Sequence, residues 1–452
     1  MVRGLWGAAA FVAALGAFLS AGFAQSLEDA LAMAYANNPT LEARRAELRA
    51  TDEFVPQALS GWRPTVTVSA EVGKSEVETE SSFFSSDETR TPQSYSLDLQ
   101  QPIYRGGRTL SETQRAEYLI EAAQAGLLSI EQDVLFDGVT AYMDTLRDQA
   151  VIELSINNER VLERQLQATR DRFEVGEVTR TDVSQAEARL SQAIADRIQA
   201  EGNLISTRSM FMRVIGLMPA GLDWPEPAAE LPALESTAYD VARNQHPDVA
   251  FARSQERAAH QLIRSITGEL LPELNLLAGL TRTDDQSTRD SSREAASISA
   301  RLTVPLYQSG VVYSRVREAR ERAGQRRIEI DEAERGVVEE ATRAWEALAT
   351  ARAEIAAFTD QVHANEVALE GVEQEALVGL RTVLDVLDAE QELFESRINL
   401  VRAERDEVVA SYRLKSAVGE LTVVHLGLPV PIYDPTGHRE EVRGMWFGLG
   451  GD

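Results

Sequence analysis

The sequence predicts a mainly helical fold with a smaller β component. One long unit, a strand pair followed by a helical hairpin, is written twice in tandem. Three observations carry this. VGEVTRTDVSQAE (175–187) and VGLRTVLDVLDAE (378–390) superimpose at an offset of 203 residues, from Gly176 to Gly379. The same offset carries QPIYRGGR (101–108) onto VPLYQSGV (304–311) and Gly216 onto Gly419, so nothing is inserted or deleted across more than a hundred residues. Upstream, Pro39 pairs with Pro247 and Pro64 with Pro272 at an offset of 208, which confines the length difference to the stretch between Pro64 and Pro102. A segment that tolerates no length change is helical and held in register by neighbours.

Proline placement marks the helices. There is none between Pro102 and Pro219, and none between Pro305 and Pro429. Both runs are rich in Ala, Glu, Gln, Arg and Leu, with apolar residues recurring at three and four, so good helix formers meet no breaker. The first repeat (25–217) is expected to hold helices at about 108–175 and 179–216, and the second (236–419) at about 311–378 and 382–418. A helix from Arg108 to Phe173 would be about 100 Å long at 1.5 Å per residue. Gly126 and Gly138 weaken it only modestly.

Ahead of each hairpin the period changes from helical to alternating. In TVTVSAEV, Val66, Val68, Ala70 and Val72 share one face, against Thr65, Thr67, Ser69 and Glu71. YSLDLQ, ELNLL and SISARLTV alternate in the same way. Strands are expected at about 64–74, 94–103, 272–281 and 297–305. The intervening segments 74–94 and 281–296 are polar loops. Such alternation suits an ordinary half-buried antiparallel sheet or an outer-membrane barrel strand. Everything else reads as long helix, so the sheet has no core to cover. Four strands cannot close a barrel, and a bilayer tolerates no open sheet edge. Several chains must pool their strands, and three copies would supply twelve, an even number within the known range.

Residues 1–24 read as a secretory signal peptide: Arg3 opens it, an apolar run to Leu19 follows, and Gly22-Phe23-Ala24 supplies small residues at the cleavage site. The chain has no cysteine and a formal net charge of −27, which becomes −28 when Arg3 leaves with the leader. Disulfides and thiolate metal sites are excluded, and so acidic a protein repels nucleic acid. The five histidines have no metal-ligand spacing, and P-loop and nucleophile-elbow motifs are absent. The chain is read as a non-enzyme without cofactors or metal. His246 precedes Pro247 where the first repeat has Asn38, which suits a helix boundary. The segment 218–235 is a Pro-rich linker between repeats. For the tail 420–452 the sequence leaves open whether it is disordered or packs on the body.

The two tips carry the chemistry. Gly176 and Gly379 each end a long helix where a left-handed turn is needed. Thr179 and Thr382 stand three residues before Asp182 and Asp385, the T-x-x-D pattern of an N-terminal cap. Asp388 lies one turn beyond Asp385 on the same face, where two carboxylates repel. In a closed trimer they would form two stacked charge rings, a device of cation-selective pores.

With these tips, the duplication, the Pro-x-Tyr-x-x-Gly joints and NNPTLEARRAELRA (37–50) echoed by QHPDVAFARSQERA (245–258), the chain resembles the TolC family of outer-membrane efflux proteins over residues 26–425. The resemblance implies a homotrimer in the outer membrane of a Gram-negative bacterium, in contact with outer-membrane lipid. Its twelve-stranded β-barrel would continue into an α-helical barrel across the periplasm. It further implies an exit duct for a tripartite efflux pump or type I protein secretion. The partners would be a periplasmic adaptor and, through it, an inner-membrane pump or ABC exporter, with the turns at Gly176 and Gly379 facing the adaptor. By the same resemblance Asp385 and Asp388 form the constriction. Arg381 bonds to Thr181 and Asp182 of a neighbouring chain, holding the tunnel shut. The family's intrachain tyrosine, three residues before the second tip glycine, is replaced by Ala376. An exported trimeric coiled-coil stalk or adhesin is the alternative reading, but it gives no reason for a duplicated helix-Gly-helix tip. A soluble periplasmic adaptor would have no use for the strand pairs.

Overall fold

A computed structural model describes residues 25–81 and 83–448. The expected signal peptide lies outside the described residues. In chain order the elements are α1 (Leu27–Asn37), α2 (Pro39–Asp52), α3 (Phe54–Leu59), β1 (Thr65–Val72), β2 (Ser75–Ser81), β3 (Phe84–Arg90), β4 (Gln93–Arg105), α4 (Arg108–Glu174) and α5 (Arg180–Ile215). The second repeat follows with α6 (Glu235–Gln245), α7 (Pro247–Gly268), β5 (Glu273–Asp284), β6 (Ser292–Thr303), α8 (Val311–Leu377) and α9 (Val383–Ala417). Two short helices, α10 (Val423–Leu426) and α11 (Gly437–Arg443), lie in the tail. The long helices α4 and α8 are both 67 residues long. The chain divides into two compact units. One takes residues up to Glu42, Ser129–His246 and Val337–Ile432; the other takes Ala43–Leu128, Pro247–Gly336 and the residues from Tyr433 onward.

In the second unit β1, β4, β5 and β6 form one antiparallel sheet in the order β1-β4-β5-β6. The register makes the alternation continuous across all four strands: Val68 faces Leu97, Leu97 faces Leu280 and Leu280 faces Ala296. The next row of the same face joins Val66, Leu99, Ala278 and Ile298. Serine, threonine and other polar or charged side chains dominate the opposite face, where Leu277 is the large apolar exception. Val68 and Ile298 are 77% and 75% exposed, so the apolar face is bare. Soluble monomers rarely leave contiguous apolar patches beyond a few hundred Å² uncovered. At Pro102, which has no N–H to give, the β4–β5 register shifts before Tyr104.

Two details differ from the sequence expectation. The segment 74–94, read as a loop, contains the separate hairpin β2–β3, so the strands number six among the described residues, four of them in the sheet, and the loop expected at 281–296 is shortened to 285–291 by the ends of β5 and β6. Its tip segments SEVETES and FSSDETR carry no sustained apolar face, which is why the pattern read as loop. The first repeat spends its extra residues here. The two loops are joined, since Arg90 donates to the Ser287 carbonyl at 2.6 Å and the Arg289 N–H to Glu88 at 3.1 Å. The strand-to-helix joints also diverge. Residues 304–310 are irregular, whereas β4 runs to Arg105 two residues short of α4. There Gly106 (φ +62°) and Gly268 approach so closely that a Cβ on Gly106 would lie 2.2 Å from the Gly268 carbonyl oxygen. The helical part of this unit packs Ile266 of α7 against Val312, Val316 and Ala319 of α8.

The tail, whose state the sequence left open, is structured through Phe447, and from Tyr433 onward it belongs to this unit. His438 meets the buried Asp52 at 3.1 Å. Arg63 donates to the Met445 carbonyl at 2.6 Å and lies 5.1 Å from the Trp446 ring centre.

In the first unit Pro39 starts α2 directly after Asn38 ends α1. The Asn38 side chain accepts from Thr40 N–H at 2.9 Å and donates to the Val214 carbonyl at 3.1 Å. His246, its counterpart, caps α6 through its N–H to Ala242. Tyr142 is fully buried beside Phe211. Its hydroxyl lies 2.7 Å from the carbonyls of Gln25 and Asp223 and accepts from the Asp223 N–H at 3.1 Å, which pins the linker to α4.

Candidate functional site at the helical tips

Each tip is built by the same local rules. At the first, the Gly176 N–H donates to Phe173 at 3.0 Å and the Glu177 N–H to Arg172 at 2.9 Å. At the second, Gly379 donates to Ala376 at 3.2 Å and Leu380 to Glu375 at 2.9 Å. This double pairing closes the last turn of α4 and of α8 and requires the left-handed φ of +81° that both glycines adopt. Three residues later a capping box opens the return helix. The Thr179 N–H donates to Asp182 at 2.8 Å and the Asp182 N–H to Thr179 Oγ1 at 3.3 Å. Thr382 and Asp385 repeat this at 2.8 and 3.2 Å. Each box is worth about 0.5–2 kcal/mol of helix stability.

Both tip aspartates therefore cap, and the Asp385 carboxyl is held below the usual range. Its hydrogen bonds from Thr382 are the main cause, with the Arg381 guanidinium, 3.9 Å away, adding to it. Within the chain Arg381 is engaged by Glu375 at 2.8 Å rather than by Thr181 and Asp182. Glu375 raises the Arg381 pKa. Thr181 is exposed on the first turn of α5. Arg172 and Glu177 pair across the first turn at 3.2 Å with the opposite polarity.

Asp388 has a partner that the sequence reading missed. Arg189 of α5 reaches it at 2.5 Å across 199 residues of chain. Beside them Val383 and Leu387 pack into a cluster with Leu162, Leu166, Ala186 and Ala193. No pattern in the sequence announces the pair, because its members come from different repeats and do not occupy equivalent positions. Glu375 was legible in principle, since the double pairing at a helix end sets the residue four before the glycine beside the residues after it. Above the tips, a groove of about 420 Å³ is lined by the amides and carboxylates of Gln192, Asp196, Gln199, Asn203, Gln391 and Glu395, with Val151, Phe394 and Ile398 beside them. Among the described residues there is no cluster suited to a metal ion and no helix apolar enough to cross a membrane.

Residues 30–217 and 238–420 match the family model described as Outer membrane efflux protein. The outer membrane efflux protein BepC of Brucella suis is 36% identical over 95% of this chain and 93% of its own length. The outer membrane protein TolC of Vibrio cholerae is 27% identical over 91% of this chain and 94% of its own. Among solved structures, the CmeC outer membrane channel of Campylobacter jejuni superimposes with a TM-score of 0.80 at 14% identity, over 92% of this chain and 89% of that one. That likeness is one of fold. The chain belongs to the outer membrane efflux protein family, a family of efflux proteins and not of enzymes, and its place is the outer membrane of a Gram-negative bacterium.

Proposed function

We propose that three copies pool their sheets into a twelve-stranded barrel, and that their helical hairpins form a periplasmic tunnel gated at the tips. The assembly is a passive exit duct for a tripartite efflux pump or a type I secretion system. The carrying observation is the sheet: four strands, an uncovered apolar face, and edge strands β1 and β6. Unpaired backbone groups at such edges cost several kcal/mol each in hydrocarbon, so the sheet must be closed by other copies. Its polar face would line the lumen.

At the tips, Arg381 would leave Glu375 for Thr181 and Asp182 of the neighbouring chain and hold the tunnel closed. Asp385 and Asp388 would face the axis as rings of three. A duct without its own energy source needs an inner-membrane pump or ABC exporter, reached through a periplasmic adaptor at the turns of Gly176 and Gly379. The relatives' names divide between efflux and secretion, and the pump chosen decides the cargo.

The test is electrophoresis and planar-bilayer recording of protein purified from outer membranes. A heat-modifiable trimer that conducts ions is expected. A detergent-free, water-soluble monomer would sink the reading.

A further inference from the structure

We propose that Arg189 is a selectivity-determining residue: it neutralises Asp388 in the resting state and clasps α5 to α9, so that opening the tips and baring the second carboxylate ring are one event. This rests on the duct reading above. The clasp itself is distinct from the Arg381 contacts, which would join neighbouring chains.

The geometry separates the two tip aspartates. Asp385 is held by the Thr382 cap on its own helix and turn, and Arg381 stays 3.9 Å away. Asp388 is met at 2.5 Å by a cation on the other hairpin. At the resting tip, the first ring therefore keeps its charge and the second is compensated. Arg189 and Asp388 are 30% and 50% exposed, wet enough to part without stranding a buried charge.

A second ion pair ties α9 to α4 farther from the tip. Arg405 reaches Asp144 of α4 at 2.8 Å, with its side chain 18% exposed, and Asp144 also accepts from Arg147 at 3.0 Å. Arg405 lies 17 residues beyond Asp388, about 25 Å along the helix. On the tip side of Asp388, Val383 and Leu387 supply apolar contact, and Ala376, 8% exposed, offers no polar group. The Arg189–Asp388 pair is thus the polar tie between the two hairpins nearest the tip. Any displacement of α9 from α5 about the Arg405 node breaks it.

The experiment compares wild type, Arg189→Gln, Arg189→Lys and the swap Arg189→Asp with Asp388→Arg in planar bilayers, recording conductance and reversal potential in a KCl gradient. Trimer mobility on gels is checked for each. Arg189→Gln should raise resting conductance roughly two- to fivefold, the range a half-exposed ion pair can supply, and shift the reversal potential toward K⁺. Arg189→Lys and the swap should return conductance to the wild-type level. Unaltered conductance and ion preference in Arg189→Gln would overturn the clasp, as would a swap that assembles but stays leaky. A wild type that does not conduct would instead refute the duct, and that is seen before any variant is made.

Discussion

Arg381 donates to Glu375 at 2.8 Å across the turn that ends α8, so within one chain the tip arginine is already taken. In the proposed closed trimer it would have two suitors, its own Glu375 and the acceptors Thr181 and Asp182 of the next copy. The energies of exposed pairs are small, under about 1 kcal/mol each, so removing one suitor shifts the balance measurably. Arg381→Ala with Asp182→Ala should raise single-channel conductance and antibiotic leakage. Glu375→Gln should do the reverse, since it frees Arg381 for the neighbour. Planar-bilayer recording distinguishes them, and equal effects of the two changes would reassign Arg381 to bracing the turn.

Asp385 serves as both cap and charge, and the two roles separate by substitution. Asp385 is the N3 partner of the Thr382 cap, and an Asn there keeps a side-chain oxygen to accept from the Thr382 N–H, so Asp385→Asn together with Asp388→Asn removes the proposed ring charges while keeping the α9 cap. The expected outcome is lower cation selectivity and weaker block by multivalent cations, with little loss of thermal stability. The hydrogen bonds from Thr382 keep the Asp385 pKa below its ordinary 3.8. A depressed carboxylate contributes stability that is present above the ordinary value and lost only as pH falls through the lowered one. The cap and the ring charge should therefore survive acidification to about pH 4. Selectivity titrating away nearer neutrality would show that the three carboxylates are coupled by repulsion instead.

How much of this could be read in the sequence depended on distance along the chain. The tip turns were legible because glycine, threonine and aspartate act within six residues of one another. The sheet faces were legible because alternation in TVTVSAEV is local and register then carries it across to Leu97, Leu280 and Ala296. The β2–β3 hairpin was not, since its strands have no apolar side to betray them. Nor was Arg189, whose partner lies 199 residues away on a different repeat. The tail was undecidable because its anchors, His438 on Asp52 and Trp446 on Arg63, are polar and cation–π contacts without periodicity.

The linker's attachment to α4 rests on one hydroxyl. Burial, the main cause, pushes the Tyr142 phenol up to about 12, so it stays protonated and keeps its proton for a carbonyl. Tyr142→Phe preserves the ring beside Phe211 but leaves the Asp223 N–H and two carbonyls short of a partner. A loss of about 1–3 kcal/mol is expected, read as a lower melting temperature in detergent. Protease sensitivity should rise within the linker around Asp223 and leave the tips unaffected. Cleavage elsewhere would mean that the ring, not the hydroxyl, does the holding.

Glu404 gives the pH dependence its opposite sign. It sits on α9, and burial alone raises its pKa above the ordinary 4.5. The folded chain then binds a proton that the unfolded chain has already released, so this residue's contribution to stability is full below about pH 4.5 and is lost as pH rises through the elevated value. At pH 7 the ionised carboxylate is a cost that Glu404→Gln removes while keeping shape. The variant should melt higher than wild type near neutrality, and the gap should close on acidification toward pH 4. Melting curves in detergent at several pH values measure it. A gap that is independent of pH would trace the effect to packing, and a lower melting temperature at pH 7 would show that the carboxylate is engaged by a cation of a neighbouring copy.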